Sequence, residues 1–198
     1  MVKRLFTLLM TLSLVFLTCA PALAEGEAET NYMALMLEAA MEGDLEKGEE
    51  AQRLRDRKIA EQGLDYVNVA FSDLYLLAKI IYAEAGSEWL PDEWKMCVGE
   101  VVLNRVASPE FPDTIPEVLA QPGQYYGENS RYFNNLLPSQ RCVNAALRLL
   151  EGERVLNEPS VVFQSNYVLG SGVYLELCDS QLGSTYLCYS SHRELYEN

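Results

Sequence analysis

Residues 77–88 of the sequence put a carboxylate on a stripe that otherwise carries apolar side chains. Glu84 follows Leu77 by seven residues, Ile80 by four and Ile81 by three, so a helix persisting that far would project its carboxyl from the face that carries those three. Desolvation on such a face disfavours the ionised form and raises the pKa, which suits a general acid that must keep its proton near neutrality. Gly86 and Ser87 follow at once, and spacing alone leaves equally open a frayed helix end with Glu84 turned to water, as most glutamates are. A carboxylic acid at the end of a core helix, beside a loop of aromatic and amide side chains, can protonate the leaving oxygen of a glycosidic bond as the sugar becomes oxocarbenium-like. Hydrolysis usually needs a second carboxylate. Glu88 could approach if the turn stays helical, whereas Glu100 falls in the next helix and reads as an ordinary helix residue. In another route the sugar's own 6-hydroxyl attacks and the single acid, now a base, accepts its proton. Intramolecular attack gains enough effective molarity to dispense with water and the second carboxylate.

The elements that must hold Glu84 are legible from periodicity. Ser72 is the expected N-cap and Asp73 a first-turn acid of an apolar helix reading DLYLLAKIIYAEA. A second helix should start near Asp92, carry Trp94, Val98, Val101, Val102 and Arg105 along one side, and end before Pro109. Between Pro109 and Pro138 lie a short helix and a loop rich in Tyr, Asn, Gln and Gly. Ser139 should cap a third long helix with Cys142, Val143, Ala146, Leu147 and Leu150 on one face, ended by Gly152. Beyond it SVVFQ, GVYLEL and TYLCYS are short β-branched and aromatic runs divided by Gly, Ser and Asn, the pattern of a small antiparallel sheet. Ahead of this core, Met33, Met36, Leu37, Ala40 and Met41 form one stripe, Gly43-Asp44 breaks it, and a charged helix should run over 45–62 with Gly63 as its stop. The fold class is therefore α+β, a helical core with a small antiparallel sheet near the C-terminus, preceded by an N-terminal helical hairpin. That hairpin reads as a pair packed on the main domain or partly ordered rather than as a docking arm.

Composition narrows the chemistry further. The chain has 198 residues, 15 of them Lys or Arg against 29 Asp or Glu, a net charge of −14. No electrostatic footprint for gripping a nucleic-acid backbone remains. Lys3 and Arg4 precede an apolar run over 5–17, and Ala22-Leu23-Ala24 gives a small-x-small cleavage pattern, so residues 1–24 read as a signal peptide. The run is shorter than the roughly 20 residues that a membrane span needs. The organisation expected is then a leader over 1–24, an acidic helical arm over 25–68 and a catalytic domain over 69–198. Setting Cys19 aside with the leader leaves Cys97, Cys142, Cys178 and Cys188, an even number that permits disulfides outside the cell. Cys178 and Cys188 flank a turn-rich segment and are the expected pair, although three connectivities exist and four buried thiols also fit. His192 is the single histidine and lies near the C-terminus, which speaks against zinc ligation and against a histidine-activated nucleophile. No glycine-rich phosphate loop is present, and neither metal nor organic cofactor is expected.

The segments LAKIIYAEAGSE, VGEVVLNRVASPEFPDTI and QPGQYY occur in that order, and the ordered set resembles the catalytic domain of SleB-type cell wall hydrolases, the spore-cortex-lytic group, over roughly residues 74–190. The resemblance implies a lysozyme-like, lytic-transglycosylase-like groove and cleavage of peptidoglycan glycan strands between N-acetylmuramic acid and N-acetylglucosamine, with Glu84 as the essential glutamate. It implies that Glu88 is the motif's second acid, that Asn104 and Arg105 hold the second helix against the site, and that Gln121, Gln124 and Tyr125, with Tyr126 beside them, line the sugar groove. Phe163, Gln164 and Asn166 could border that groove, against the plainer account of a buried strand residue followed by a turn; of these, Asn166 is the substrate-binding candidate. Two extra residues lie between Glu88 and the second helix, and Thr185 stands where relatives commonly carry His. The expected partner is the glycan strand, the expected location the cell exterior or spore. The rival expectation is a non-catalytic wall or spore coat protein that keeps the groove and binds glycan.

Overall fold

The hairpin ahead of the core is built by its caps. In the computed structural model, which describes residues 30–63, 67–125 and 130–197, α1 (Tyr32–Glu42) starts under the Asn31 side chain, which accepts from the Ala34 N–H, and stops at Gly43 with φ +70°. Asp44 caps α2 (Leu45–Gln62) by accepting from the Lys47 N–H, and Gly63 closes it at φ +62°. Left-handed residues at both stops are what glycine supplies without steric cost. The pair packs into the same apolar core as the helices that follow, through Met36, Ala39, Ala40 and Ala51. Close approach is permitted by Gly48, where a Cβ would sit 2.1 Å from the Phe71 ring.

At the centre lies α3 (Phe71–Ala85), whose Leu74, Leu77, Ala78, Ile80 and Ile81 are fully buried. Ser72 is not its N-cap. The helix begins two residues earlier than that cap would place it, Ala70 occupies the cap position, and the Phe71 N–H is satisfied from outside by Gln52 Oε1 of α2 at 2.7 Å. Burial of Phe71 fixes the start, and a neighbouring helix supplies the acceptor that a local serine would otherwise give. Against α3 pack α4 (Asp92–Val106) and α7 (Gln140–Leu150). They meet at Gly99, where a Cβ would come within 2.5 Å of Leu149 and 2.8 Å of Ile81. Two short helices, α5 (Ile115–Leu119) and α6 (Arg131–Asn134), fill the connection before α7. Ser139 holds the cap position of α7, but its hydroxyl bonds the Cys142 sulfur instead of a backbone N–H.

The C-terminal segment forms an antiparallel sheet of β1 (Val161–Ser165), β2 (Val173–Asp179) and β3 (Gly183–Tyr189) in the order β1-β3-β2, followed by a 3₁₀ turn at Arg193–Tyr196. The mixed architecture is α+β, with the sheet near the C-terminus. Register overturns the expected Cys178–Cys188 bridge. Cys178 pairs with Ser184 while Cys188 pairs with Val173 at the far end of β2, so several residues at about 3.3 Å each separate two groups whose Cα atoms must lie within about 7 Å to bridge. Both are free thiols, Cys178 exposed and Cys188 buried, as are the buried Cys97 and Cys142. Among the described residues no helix is long and apolar enough to cross a membrane, and no group of His, Cys, Asp or Glu side chains is placed to hold a metal ion. The leader and Tyr126 lie outside the described residues.

Candidate active site

Glu84 sits in the last turn of α3, and that turn is fastened from α4. The Lys95 ammonium, with no solvent exposure, donates to the Ala85 carbonyl at 2.7 Å and to the Ser87 carbonyl at 2.8 Å. A cation on the final carbonyls satisfies groups the helix leaves open and matches the sign of its dipole. Burial lowers the Lys95 pKa, the cost of placing an ammonium there. Fixed in this way, Glu84 lines a shallow cleft of about 260 Å³ together with Gly123, Gln124 and Tyr125. Glu84 is an exposed residue, and the protein crowding one side of its carboxyl raises the pKa from the ordinary 4.5 through desolvation. Both readings of the spacing are thus met in part, since the helix does end here and the carboxyl is still partly withdrawn from water.

The wall of the cleft is stacked on Arg105. Its guanidinium carbon lies 5.0 Å from the Tyr125 ring centroid, 5.0 Å from Phe111 and 5.8 Å from Phe163, and its Nε donates to the Val162 carbonyl at 2.6 Å. Burial raises the Tyr125 phenol, Arg105 pulls it down and Glu84 pushes it up, which places the phenol within electrostatic reach of both charges. One face of the Tyr125 ring is occupied by Arg105, so a sugar can meet only its other face or its edge. Asn104, next in sequence, donates to the Glu158 and Val161 carbonyls at 3.1 and 3.0 Å. The Asn104-Arg105 pair thereby holds the entry of β1 against α4.

β1 in turn brings Gln164 to the carboxyl, its Nε2 lying 3.4 Å from Glu84 Oε2. Asn166, the substrate-binding candidate of the sequence, stands instead in the exposed turn just past the strand. A polar side chain closing the apolar strand run SVVFQ is the signal that could have promoted Gln164. Glu88 is not gathered into this cleft. α3 stops at Ala85, and Arg141 of α7 takes the following loop, bonding the Glu88 and Leu90 carbonyls and Asp92 Oδ1; the Glu88 carboxylate lies 3.9 Å from that guanidinium and is largely exposed. Glu100 faces away as well, accepting the backbone N–H groups of Val155, Leu156 and Asn157. Gln124 is exposed at the cleft, whereas Gln121 stands at the start of the same loop and its Oε1 is buried. Lys95 and Arg141, which set the end of α3, were not singled out by sequence; a lysine three residues before Val98 on the apolar stripe of α4 was the available clue.

Comparison with known proteins gives one positive result. Residues 90–174 match the family model described as cell wall hydrolase, a stretch holding α4, the loop of Gln121–Tyr125, α7 and β1 but beginning after Glu84, whose placement therefore rests on the geometry above. Neither the curated proteins nor the solved structures offer a match. Over residues 90–174 the chain is similar to cell wall hydrolases of the SleB type, a likeness that supports peptidoglycan as the substrate class.

Proposed function

We propose that the protein is a secreted lytic transglycosylase that cleaves peptidoglycan glycan strands between N-acetylmuramic acid and N-acetylglucosamine, with Glu84 as its single acid and base. The observation that carries this reading is that, among the described residues, one carboxylate lines the cleft, while Glu88 faces Arg141 and Glu100 is consumed by backbone N–H groups. A hydrolytic mechanism needs a second carboxylate to activate water. In the proposed cycle Glu84 gives its proton to the glycosidic oxygen, the C1–O bond breaks, and the muramic 6-hydroxyl closes on C1 while returning its proton to Glu84. The raised Glu84 pKa supports the first step, because the protonated form persists at higher pH. The basic n-region, apolar run and Ala22-Leu23-Ala24 support export.

Mass analysis of the products from purified glycan strands tests this. Intramolecular attack leaves a muramic end lighter than the hydrolysed one by a single water, about 18 mass units. Ends of hydrolysed mass would refute the single-acid route. Glu84→Gln should abolish turnover and retain binding, and persisting activity would remove Glu84 from its role. Binding without cleavage by the unaltered protein would favour a wall-binding protein instead.

A further inference from the structure

Beside the cleft stands a half-buried amide that the fold does not explain. Gln164 points its Nε2 at Glu84 Oε2 across 3.4 Å, and its Oε1 is buried with no hydrogen-bond partner among the described residues. Burying an acceptor unpaired is unfavourable, and an apolar side chain of similar size would avoid that cost if filling space were the only demand. The backbone beneath it is held, since Asn104 bonds the Val161 carbonyl and Arg105 the Val162 carbonyl, and Val161 and Val162 are fully buried. A donor is therefore presented to one carboxyl oxygen from a rigid strand, at the cost of an unpaired acceptor.

We propose that Gln164 is a positioning residue for Glu84: its Nε2–H holds Oε2 as an acceptor, so that the working proton is carried, given and taken back on Oε1. The proposal rests on the reading of Glu84 as acid and base. A neutral carboxyl has one carbonyl and one hydroxyl oxygen, and a donor aimed at Oε2 makes that oxygen the carbonyl. Turned the other way, the amide would offer an oxygen to Oε2 and draw the proton there, away from the substrate. When Oε1 gives its proton to the glycosidic oxygen, the contact at Oε2 becomes charge-assisted and should tighten, as catalytic hydrogen bonds that are long in the free enzyme do in the reacting complex. When the 6-hydroxyl attacks, its proton returns to Oε1 and the contact relaxes.

The test uses the full-length mature protein, unaltered and as Glu84→Gln, Gln164→Met and Gln164→Glu, with soluble glycan strands. kcat and KM are followed from acid to alkaline pH, beside thermal melts. Gln164→Met keeps length but loses the donor; kcat should fall about 10- to 100-fold with KM within about threefold, the size expected from a misplaced catalytic group, and without a matching loss of Tm. Gln164→Glu puts a second carboxyl beside Oε2, and the like charge should move the alkaline limb of the profile upward. Gln164→Met with wild-type kcat and profile, or a deficit confined to KM or explained by a lowered Tm, would overturn the proposal, as would an unmoved alkaline limb in Gln164→Glu. If the unaltered protein does not cleave, or Glu84→Gln does, the reading of Glu84 fails; if those two behave as expected and only the Gln164 variants do not, this inference fails alone.

Discussion

Glu100→Gln should destabilise the protein far more than its near-identical shape suggests. Glu100 is 1 % exposed, and its carboxylate accepts from Val155 N at 2.6 Å and Leu156 N at 3.0 Å through Oε2 and from Asn157 N at 3.2 Å through Oε1. The chain curls around these oxygens closely enough that Asn157 takes φ +53°, a conformation Asn tolerates better than most residues. Three bonds to an ionised acceptor at about 1.5–3 kcal/mol each would be exchanged for at most two neutral ones at about 0.5–1.5 kcal/mol, and the new amide N–H₂ would face a backbone donor. Part of the gross difference is offset because a neutral amide is less costly to bury than a carboxylate. The net expectation is a loss of about 3 kcal/mol, or about 6–12 °C in Tm for a body of this size. Urea unfolding at constant m measures it. Glu100→Met sharpens the test: it fills the space and strands all three N–H groups, so it should be less stable than Glu100→Gln. Should the methionine variant prove the more stable, or the glutamine variant lose under about 1 kcal/mol, Glu100 would be a packing residue and the account of the 155–157 loop would be refuted. Activity should fall with stability, because that loop leads into the strand that carries Gln164.

Arg105→Lys keeps the charge but loses the planar group that Tyr125, Phe111 and Phe163 surround and the Nε bond to Val162; a loss of about 1–3 kcal/mol in unfolding free energy is expected, with kcat reduced more than tenfold as Tyr125 shifts. A thiol reagent applied to the folded protein should modify Cys178 quickly and Cys97, Cys142 and Cys188 only on unfolding, because the latter three are buried and burial pushes Cys97 up to about 12; an oxidised pair detected by mass would contradict this. The Glu84 pKa is raised in the fold, so its contribution to stability is complete below the unfolded value of 4.5 and is lost as pH rises through the folded one. Glu84→Gln removes that dependence, and its Tm should gain on the unaltered protein between acid and neutral pH; a constant difference across that window would show that the carboxyl is not desolvated.

What could be read from sequence follows the range of the interactions involved. The end of α1 and both limits of α2 were legible because Asp44, Gly43 and Gly63 act within one turn of their own positions. The start of α3 was not, because its first N–H is satisfied by Gln52, nineteen residues earlier in the chain and on another helix. Strand identity was carried by β-branched and aromatic runs, yet the order β1-β3-β2 and the register that parts Cys178 from Cys188 depend on which runs pair, and nothing local encodes that.

The same distinction governs the site. Spacing alone brought out Glu84 as an acid at the end of an apolar stripe. Its surroundings could not be obtained that way, because they depend on where α3 stops, and that is decided by Lys95 and Arg141 from two other helices. Had the helix run one turn further, Glu88 would stand over Glu84 and two carboxylates would share the cleft, the arrangement that hydrolysis by water requires. With the stop at Ala85, Glu88 goes to Arg141 and the amide of Gln164 is what lies beside the carboxyl. Under the proposed single-acid cycle, the choice between a water-using and a self-attacking mechanism would trace to the buried lysine that fastens the end of α3. Replacing Lys95 with methionine should leave the Ala85 and Ser87 carbonyls without their donor, loosen the final turn and lower kcat more than it weakens glycan binding; if kcat survives with the melting temperature intact, the end of α3 is fixed by something other than Lys95.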